Sequence, residues 1–233
     1  MAHLSGERRS AHVNALFARI AGRYDLMNRL MTWGQDRRWR REVIDRAQLP
    51  PGGRLLDLGT GTGDLALEAL HRDPSLCVAA ADFTFEMMRH GRTRPGGDSV
   101  GWVQADALAL PFPDETFDAI VSGYLMRNVG DLSRAWTEQH RVLKPGGRLV
   151  CLDTTPPPPG WRGFPVRLYL RLVLPLLGWL IAGDRAAYTY LQSSTERFAT
   201  AEELAASMQA AGFREVCFRR LMFATMAIHW GIK

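Results

Sequence analysis

The sequence has only three cysteines, and none belongs to a CxxC pair. The number of cysteines is odd and their spacing is wide, at Cys77, Cys151 and Cys217. This excludes a small domain held together by disulfides. The same spacing argues against a zinc site, and no metal is expected. Because each cysteine stands in an apolar context, we expect three buried, reduced thiols.

The sequence also lacks a hydrophobic run long enough to cross a membrane. The longest apolar stretch, residues 172–182, includes a proline, and a spanning helix needs about 20 apolar residues. Residues 1–10 are polar and lack the apolar core of a secretory signal. We therefore expect a cytoplasmic protein, soluble or peripheral on the inner face of the membrane.

No long run of like charge is present, and the net charge is only +5. With 46% hydrophobic residues, the 233-residue chain is typical of one globular domain rather than a disordered chain. The basic residues cluster at Arg37, Arg38, Arg40, Arg41 and Arg46. This cluster fits either a solvated helix face or contact with an anionic membrane. Since no recognition motif accompanies the charge, nucleic acid is not an expected partner.

Short apolar runs alternate with helical segments through most of the chain. They predict an α/β fold with a doubly wound, mostly parallel sheet, because apolar runs without polar alternation are typical of strands covered on both faces. The predicted strands are 54–58, 76–81, 100–104, 117–122 and 148–152, and the helices between them are 64–71, 85–92 and 132–143.

The two ends of the chain differ from this middle part. Residues 10–47 predict two or three short helices, an N-terminal helical cap. Near the other end, Thr200 and Glu203 form a capping box that opens a helix. The runs 215–221 and 224–229 are too close for a helical crossover and predict an antiparallel hairpin, giving seven strands in all.

The glycine-rich stretch from Asp57 to Asp64 follows a predicted strand and opens a helix. Glycines at such a turn let the backbone approach a ligand closely. A dinucleotide site has the spacing G-x-G-x-x-G, whereas Asp64 occupies the place of the third glycine. Because a carboxylate there would oppose a pyrophosphate and favour a cation, the loop suits a nucleoside joined to a sulfonium-bearing amino acid.

Two further carboxylates follow the next predicted strands. Asp82 is placed to accept hydrogen bonds from ribose hydroxyls, and Asp106 from an adenine amino group. Each alone could be a surface carboxylate or a helix cap. Since open sheets bind ligands at the carboxyl ends of their strands, the combination predicts a binding site there.

At this point the sequence resembles the class I S-adenosylmethionine (SAM) methyltransferases. More narrowly, it is similar to the ubiquinone/menaquinone biosynthesis C-methyltransferase family over residues 17–233. The narrow matches are the YDLMN, RWRR and RNV segments, beside the broader glycine loop and KPGG turn. The matching segments are Phe17 to Asn28, Gly34 to Arg41, Leu55 to Ala66, Ala105 to Asp118, Arg127 to Val129, Arg141 to Gly147, Ala211 to Phe213 and His229 to Lys233.

The resemblance implies a Rossmann-like methyltransferase that uses SAM to methylate a ring carbon of a prenylated quinol, with demethylmenaquinol as the leading substrate. It implies a cap or lid over residues 1–48, a SAM-binding domain over 49–233 and a substrate-facing insertion at about 155–200; a homodimer is left open. The SAM-binding residues it implies are Asp57, Gly59, Thr60, Gly61, Thr62, Asp82, Phe83, Asp106, Ala107 and Gly123.

The resemblance also implies the catalytic group. Arg127 would stabilise the developing oxyanion of the substrate, Asn128 would orient substrate or SAM, and Tyr24 would belong to the lid. The alternatives are a strand-end salt bridge for Arg127 and helix packing for Tyr24.

The sequence departs from the family at the predicted acceptor side. Leu125 replaces a usual glycine, and Asp153 replaces a usual glutamate. Two other functions therefore stay open. One is methylation of another apolar small molecule, including a ubiquinone-pathway benzoquinol. The other is a non-catalytic SAM-binding partner in a quinone-biosynthesis assembly.

Overall fold

The computed structural model describes residues 32–157, 160, 163, 168, 195 and 198–233. Tyr24 and most of the predicted insertion lie outside the described residues. The helices described are α1 (Asp36–Ala47), α2 (Asp64–Arg72), α3 (Phe85–Arg92), α4 (Leu132–Val142) and α5 (Ala201–Ala210). The strands are β1 (Arg54–Leu58), β2 (Cys77–Asp82), β3 (Gly101–Gln104), β4 (Phe117–Gly123), β5 (Leu143–Thr154), β6 (Arg214–Leu221) and β7 (Met226–Ile232).

The seven strands form a single sheet in the order β3-β2-β1-β4-β5-β7-β6. Strands β1 to β5 are parallel, and β7 runs antiparallel between β5 and β6. The order reverses beside β1, since β2 and β4 flank it on opposite sides. This is the predicted doubly wound sheet with a terminal antiparallel hairpin, and it places the carboxyl ends of β1 to β5 along one edge.

Helices cover both faces of the sheet. One buried cluster joins α1 and α2 to the sheet through side chains such as Trp39, Leu65 and Val121. A second cluster joins α4 and α5 to the other face through Trp136, Leu204 and Ile120. Consecutive residues of β1 and β4 are therefore buried on alternating faces, which explains their continuous apolar sequences.

Helix α1 is the described part of the predicted N-terminal cap. Its buried residues Trp39, Val43, Ile44 and Ala47 recur at helical spacing and pack into the same cluster as β4, β5 and β7. Within the described residues, this part of the cap is a core helix. The predicted division of the chain at residue 48 stays a prediction.

Two predicted boundaries are wrong. The prediction ended a helix at Leu143 and placed a turn at residues 144–147 before the fifth strand, but β5 already begins at Leu143, where it pairs with Phe117. A register shift between Phe117 and Ala119 takes up the residues of this turn. In the C-terminal hairpin, the last strand was predicted to begin at residue 224, but β7 begins at Met226. The residues before it, Met222, Phe223 and Ala224, adopt left-handed backbone angles in a short 3-10 turn.

The expectation of three buried thiols is also wrong for two of them. Cys151 is buried in β5, whereas Cys77 and Cys217 are exposed. Cys77 begins β2, and Cys217 lies on the edge strand β6, so their apolar neighbours in sequence do not enclose them.

No helix among the residues the structure describes is long and apolar enough to span a bilayer.

Candidate active site

A cavity opens at the carboxyl edge of β1, β2 and β4 and reaches the loop after β3. Its walls contain all ten residues that the sequence predicted for the cofactor: Asp57, Gly59, Thr60, Gly61, Thr62, Asp82, Phe83, Asp106, Ala107 and Gly123. Four carboxylates line it, from Asp57, Asp64, Asp82 and Asp106. The geometry therefore brings together residues that are up to 66 positions apart in the chain, from Asp57 to Gly123.

The glycine loop requires glycine at two positions. Gly59 has a φ of 68°, and a Cβ atom built there would lie 2.8 Å from Leu125 Cδ1. Gly63 has a φ of 83°, and a Cβ atom there would lie 2.5 Å from the ring of Trp102. Any side chain would meet both the left-handed backbone penalty and a clash. The loop is thus packed from both sides, and its backbone faces the cavity.

Asp57, at the end of β1, is a buried carboxylate that organises the loop. Its Oδ2 accepts hydrogen bonds from Thr60 Oγ1 at 2.6 Å and from the Ala66 backbone N–H at 3.0 Å. Its Oδ1 is buried and has no hydrogen-bond partner among the described residues. Burial raises the pKa of this carboxyl to about 7. A cationic donor that reached Oδ1 from the cavity would favour the ionised form.

Asp82, at the end of β2, accepts two backbone hydrogen bonds. Its Oδ2 accepts from Gly61 N–H at 2.7 Å and its Oδ1 from Thr84 N–H at 2.7 Å. Because burial is the largest influence, the pKa of Asp82 is raised despite these bonds. Each carboxylate oxygen has a second lone pair, so both can accept from a ligand in the cavity.

Asp106 and Phe83 form the outer end of the cavity. Asp106 is exposed, and its Oδ1 accepts a hydrogen bond from the Leu108 N–H at 2.9 Å. The Phe83 side chain is 44% exposed, which leaves an apolar ring at the lining. A flat heterocycle with an exocyclic amine fits this combination of ring and carboxylate.

The structure shows that the Asp64 carboxylate is not the isolated charge that the sequence argument assumed. We expected its carboxylate to oppose an anion and attract a cation. In the structure, Asp64 forms salt bridges with Arg40 of α1 and, at 2.7 Å, with Arg94. Two guanidinium groups therefore compensate its charge. The local sequence could not show this, because both arginines approach from other parts of the chain.

Arg127 and Asn128 follow β4 in a short 3-10 turn. Asn128 lines the cavity, and its Nδ2 donates to the Tyr124 carbonyl at 3.0 Å. Arg127 is not among the described lining residues. Its guanidinium donates to Asp153 Oδ1 at 2.8 Å, and the two side chains are 3% and 0% exposed. The salt bridge that the sequence left as an alternative is thus present, and the catalytic role of Arg127 stays a prediction.

The comparison with known proteins agrees with this geometry. A profile described as the ubiE/COQ5 methyltransferase family matches residues 4–233. The chain belongs to this family. It is 50% identical over 222 residues to the "Ubiquinone/menaquinone biosynthesis C-methyltransferase UbiE" of Desulfotalea psychrophila, covering 95% of this chain and 90% of that protein. It is 48% identical to the "Demethylmenaquinone methyltransferase" of Thermus thermophilus, covering 93% of this chain and 99% of that protein.

Solved structures agree on the fold at much lower identity. The [4+2]-cyclase SpnF superposes with a TM-score of 0.72 at 20% identity, over 95% of this chain and 94% of that one. Phosphoethanolamine N-methyltransferase 2 of Haemonchus contortus, in complex with SAM, superposes with a TM-score of 0.64 at 14% identity, over 84% and 52%. Since one of these is named as a cyclase, the fold alone does not determine the reaction.

Several lining residues of this ubiE/COQ5 member were not predicted from the sequence. They are mainly apolar side chains beyond the motif, together with one arginine: Arg40, Leu58, Leu65, Met87, Leu108, Tyr124, Leu125 and Val129. Leu125 was noted as a family departure, which was the available signal for it. Arg40 stood in the basic cluster, but nothing in its neighbourhood distinguished it from Arg38 or Arg41.

Proposed function

We propose that this chain transfers a methyl group from SAM to a ring carbon of a prenylated quinol, with demethylmenaquinol as the acceptor and menaquinol as the product. The observation that carries the proposal is the carboxylate-lined cavity at the carboxyl edge of the sheet, in a member of the ubiE/COQ5 methyltransferase family. The names of the relatives at 48–50% identity support the acceptor class.

The residues present fit SAM. The unpartnered Asp57 Oδ1 suits the ammonium of an amino acid, and the carboxylate of Asp82 suits a pair of ribose hydroxyls. Asp106 with Phe83 suits an adenine ring and its amine. We assign the glycine loop, with Thr60 and Thr62, to the methionine portion. These assignments also explain why the cavity is acidic, since SAM carries a cationic sulfur.

When bound, SAM supplies an electrophilic methyl group on its positively charged sulfur. The residues of the chain have to make the acceptor carbon nucleophilic, which requires ionisation of the neighbouring phenol. With a phenolic pKa near 10, ionisation at pH 7 costs roughly 4 kcal/mol. The amide of Asn128, in the cavity wall, is the group we assign to orienting the acceptor.

Arg127 lies behind that wall as one half of a buried ion pair. Its guanidinium is held by Asp153 and lies 5.2 Å from the centre of the Tyr124 ring, which does line the cavity. We propose that it favours an oxyanion in the acceptor site, as the sequence analysis suggested, and that the Asp153 pair fixes the turn carrying Asn128. Tyr24 completes the proposed catalytic group from the segment preceding α1.

The course of the chain at the carboxyl edge of the sheet supports the proposed lid over the site. Arg40 near the start of α1 contacts Asp64 at the carboxyl edge, and β5 ends at Thr154 on the same edge. The described chain therefore reaches this edge both at the start of α1 and at the end of β5, which supports the proposed lid and acceptor wall.

Contact with a membrane surface is the remaining part of the proposal. Arg40 and Arg46 of the basic cluster pair with acidic side chains, but Arg37, Arg38 and Arg41 are exposed and make no salt bridge within the described residues. Two aromatic side chains are exposed as well: Trp33 at 75%, shortly before α1, and Phe223 at 80%, in the turn before β7. Arginines and aromatic rings together favour an anionic bilayer interface, where prenyl quinols reside.

The deciding experiment is a turnover assay under reducing conditions. Purified protein is incubated with SAM and a short-tailed demethylmenaquinol or, separately, a matched demethylated benzoquinol, and products are read by mass spectrometry. We expect one added ring methyl on the naphthoquinol, and none with Asp82→Ala at a SAM concentration limiting for wild type. Methylation of the benzoquinol alone would show that the acceptor is a benzoquinol and not demethylmenaquinol. SAM binding with no product from either would favour the non-catalytic function.

A second candidate, methylation of another apolar acceptor, is favoured by one observation. Leu125 lies beside Gly59 in the cavity wall, and its side chain takes up space that a glycine, the usual residue at this position in the family it resembles, would leave open. A panel of smaller phenolic acceptors in the same assay separates the two candidates.

A further inference from the structure

Tyr124, the residue directly after β4, has an unusual backbone conformation. Its φ is 62°, in the left-handed region that an aromatic residue rarely adopts. The other non-glycine residues with a positive φ in the described chain lie outside the cavity lining, whereas Tyr124 belongs to it. Such a conformation costs free energy, persists only where surrounding contacts impose it, and is concentrated at functional sites. Its place in the cavity wall therefore indicates a functional constraint on Tyr124.

The left-handed backbone ends the strand pairing and turns the chain. The Tyr124 N–H donates to the Leu152 carbonyl at 2.7 Å, so it still belongs to the pairing of β4 with β5. With the negative φ of a strand, the following residues would continue along β5. Instead the chain enters the 3-10 turn Met126–Asn128. There the Asn128 Nδ2 donates to the Tyr124 carbonyl at 3.0 Å, which fixes the rotation of the Asn128 amide.

The ring of Tyr124 supplies contacts that keep this conformation. It packs against the buried cluster that joins α1 and α2 to the sheet. The Arg127 guanidinium lies 5.2 Å from the centre of the ring and donates to Asp153 Oδ1 at 2.8 Å. Hydrogen bonds at both ends of the residue, together with the ring contacts, impose the strained backbone. Tyr124 thus connects the ion pair behind the cavity wall to the Asn128 amide in the wall.

We propose that Tyr124 is a positioning residue for the methyl acceptor: its left-handed backbone fixes the amide of Asn128, and its ring stabilises that backbone. This inference rests on the proposed function, which assigns Asn128 to orienting the acceptor. Because Tyr124 acts through Asn128, its backbone conformation should affect kcat and leave SAM affinity nearly unchanged. A displacement of about 1 Å in a positioning group can lower a rate about a hundredfold.

The test separates the backbone of Tyr124 from its ring. Tyr124→Gly, Tyr124→Asn and Tyr124→Val all remove the ring, but glycine and asparagine adopt a positive φ far more readily than the β-branched valine. Mass spectrometry measures kcat and KM for the quinol that wild type methylates, and calorimetry measures SAM affinity. We expect kcat of Tyr124→Val to lie about tenfold to a hundredfold below that of Tyr124→Gly, with Tyr124→Asn close to Tyr124→Gly. SAM affinity should be equal in all three within error.

Tyr124→Phe is the matched control, because it keeps the ring and loses only the hydroxyl, and its kcat should stay close to that of wild type. A second comparison uses an Asn128→Ala background. There Tyr124→Gly and Tyr124→Val should give the same kcat, since no amide remains to be positioned, whereas a merely structural role of Tyr124 would preserve the difference. If Tyr124→Val fails to bind SAM, Tyr124→Ala takes its place with a milder backbone penalty.

Three results would overturn the inference. Equal kcat in Tyr124→Gly and Tyr124→Val would show that the backbone conformation has no role in turnover. A difference of unchanged size in the Asn128→Ala background would show that Tyr124 does not act through Asn128. A loss in Tyr124→Phe as large as that in Tyr124→Val would assign the role to the hydroxyl. Wild type that binds SAM but methylates neither quinol would overturn the proposed function itself, so the two failures are distinguishable.

Discussion

The carboxyl edge has two halves that differ in how their polar side chains are used. In the half that we propose for the cofactor, at the ends of β1, β2 and β3, Asp57, Asp82 and Asp106 all line the cavity and accept hydrogen bonds from backbone N–H groups of α2 or of the adjoining loops. In the half that we propose for the acceptor, at the ends of β4 and β5, an ion pair is buried behind the cavity wall. It joins Arg127 to Asp153. The same edge therefore presents carboxylates to the cavity on one side and buries an ion pair behind the wall on the other.

The difference has a physical reason. A carboxylate that accepts backbone N–H bonds keeps lone pairs for a ligand, so it can hold a loop and bind at once. A buried guanidinium that is paired with a carboxylate has its charge balanced by that partner, and exposing it would forfeit the pairing. Changes in the acceptor half should therefore mainly alter stability and selectivity, and changes in the cofactor half should mainly alter SAM affinity.

The largest expected effect is that of Arg127→Ala. It leaves Asp153 buried without its partner, which costs about 3–5 kcal/mol of unfolding free energy. Urea denaturation measures the loss. The double variant Arg127→Ala, Asp153→Ala is the control and should lose less than Arg127→Ala alone. A single variant as stable as wild type, with turnover abolished, would show that Arg127 acts in catalysis without supporting the fold.

Asp82→Ala should give the next largest effect, and on binding rather than on stability. It removes the proposed ribose acceptor and frees the backbone N–H groups of Gly61 and Thr84. We expect SAM affinity to fall about a hundredfold by calorimetry, against about tenfold for the matched variant Asp106→Ala. Equal affinity in wild type and Asp82→Ala would refute the assignment.

The raised pKa of Asp57 predicts a pH dependence. The pKa of Asp57 in the folded protein, about 7, lies above its ordinary value of 3.8. Between these two pH values the folded state binds more protons than the unfolded state, so the contribution of Asp57 to the free energy of unfolding falls as the pH rises. Binding of a cationic ligand requires the ionised form. SAM affinity should therefore rise as the pH increases toward about 7, by up to about tenfold per pH unit.

Calorimetry in buffers of different ionisation enthalpy measures this effect directly as proton release on binding. Asp57→Asn is the control, because it cannot ionise. Affinity that is independent of pH in wild type, or an identical slope in Asp57→Asn, would contradict the prediction.

Leu125→Gly should change acceptor selectivity. Leu125 lies against Gly59 in the cavity wall, so its removal enlarges the cavity. We expect the ratio of kcat/KM between a bulky and a small acceptor to rise about tenfold, with Leu125→Ala intermediate. An unchanged ratio would place Leu125 outside the acceptor site.

The smallest expected effect concerns the membrane. Arg38→Gln should weaken binding to vesicles containing anionic lipid about fivefold, since each arginine near such a surface contributes about 1 kcal/mol. Co-sedimentation at low salt measures it. The control is Arg92→Gln on α3, which packs at the other end of the sheet. Equal loss in both variants would indicate a general charge effect without an oriented surface.

The residues that we propose for the cofactor could be predicted to lie at one edge of the sheet, because their signals are local. Asp57, the glycines and Asp64 stand in one stretch, and Asp82 and Asp106 each end an apolar run. The acceptor half could not, because its geometry depends on the pairing of Arg127 with Asp153, 26 positions later. The salt bridges of Asp64 could not be predicted for the same reason, since its partners Arg40 and Arg94 come from α1 and from the segment after α3.

The sequence by itself determined the alternation of strands and helices, the terminal hairpin and the positions that end each strand at the ligand edge. These follow from short-range patterns, since burial on two faces and glycine turns leave their mark on consecutive residues. Only the tertiary structure decided which charges remain available: Asp57 keeps an unpartnered oxygen, Asp64 is compensated and Arg127 is enclosed. Electrostatic interactions act through space, and the distance between two charges becomes defined only once the sheet and its helices have packed.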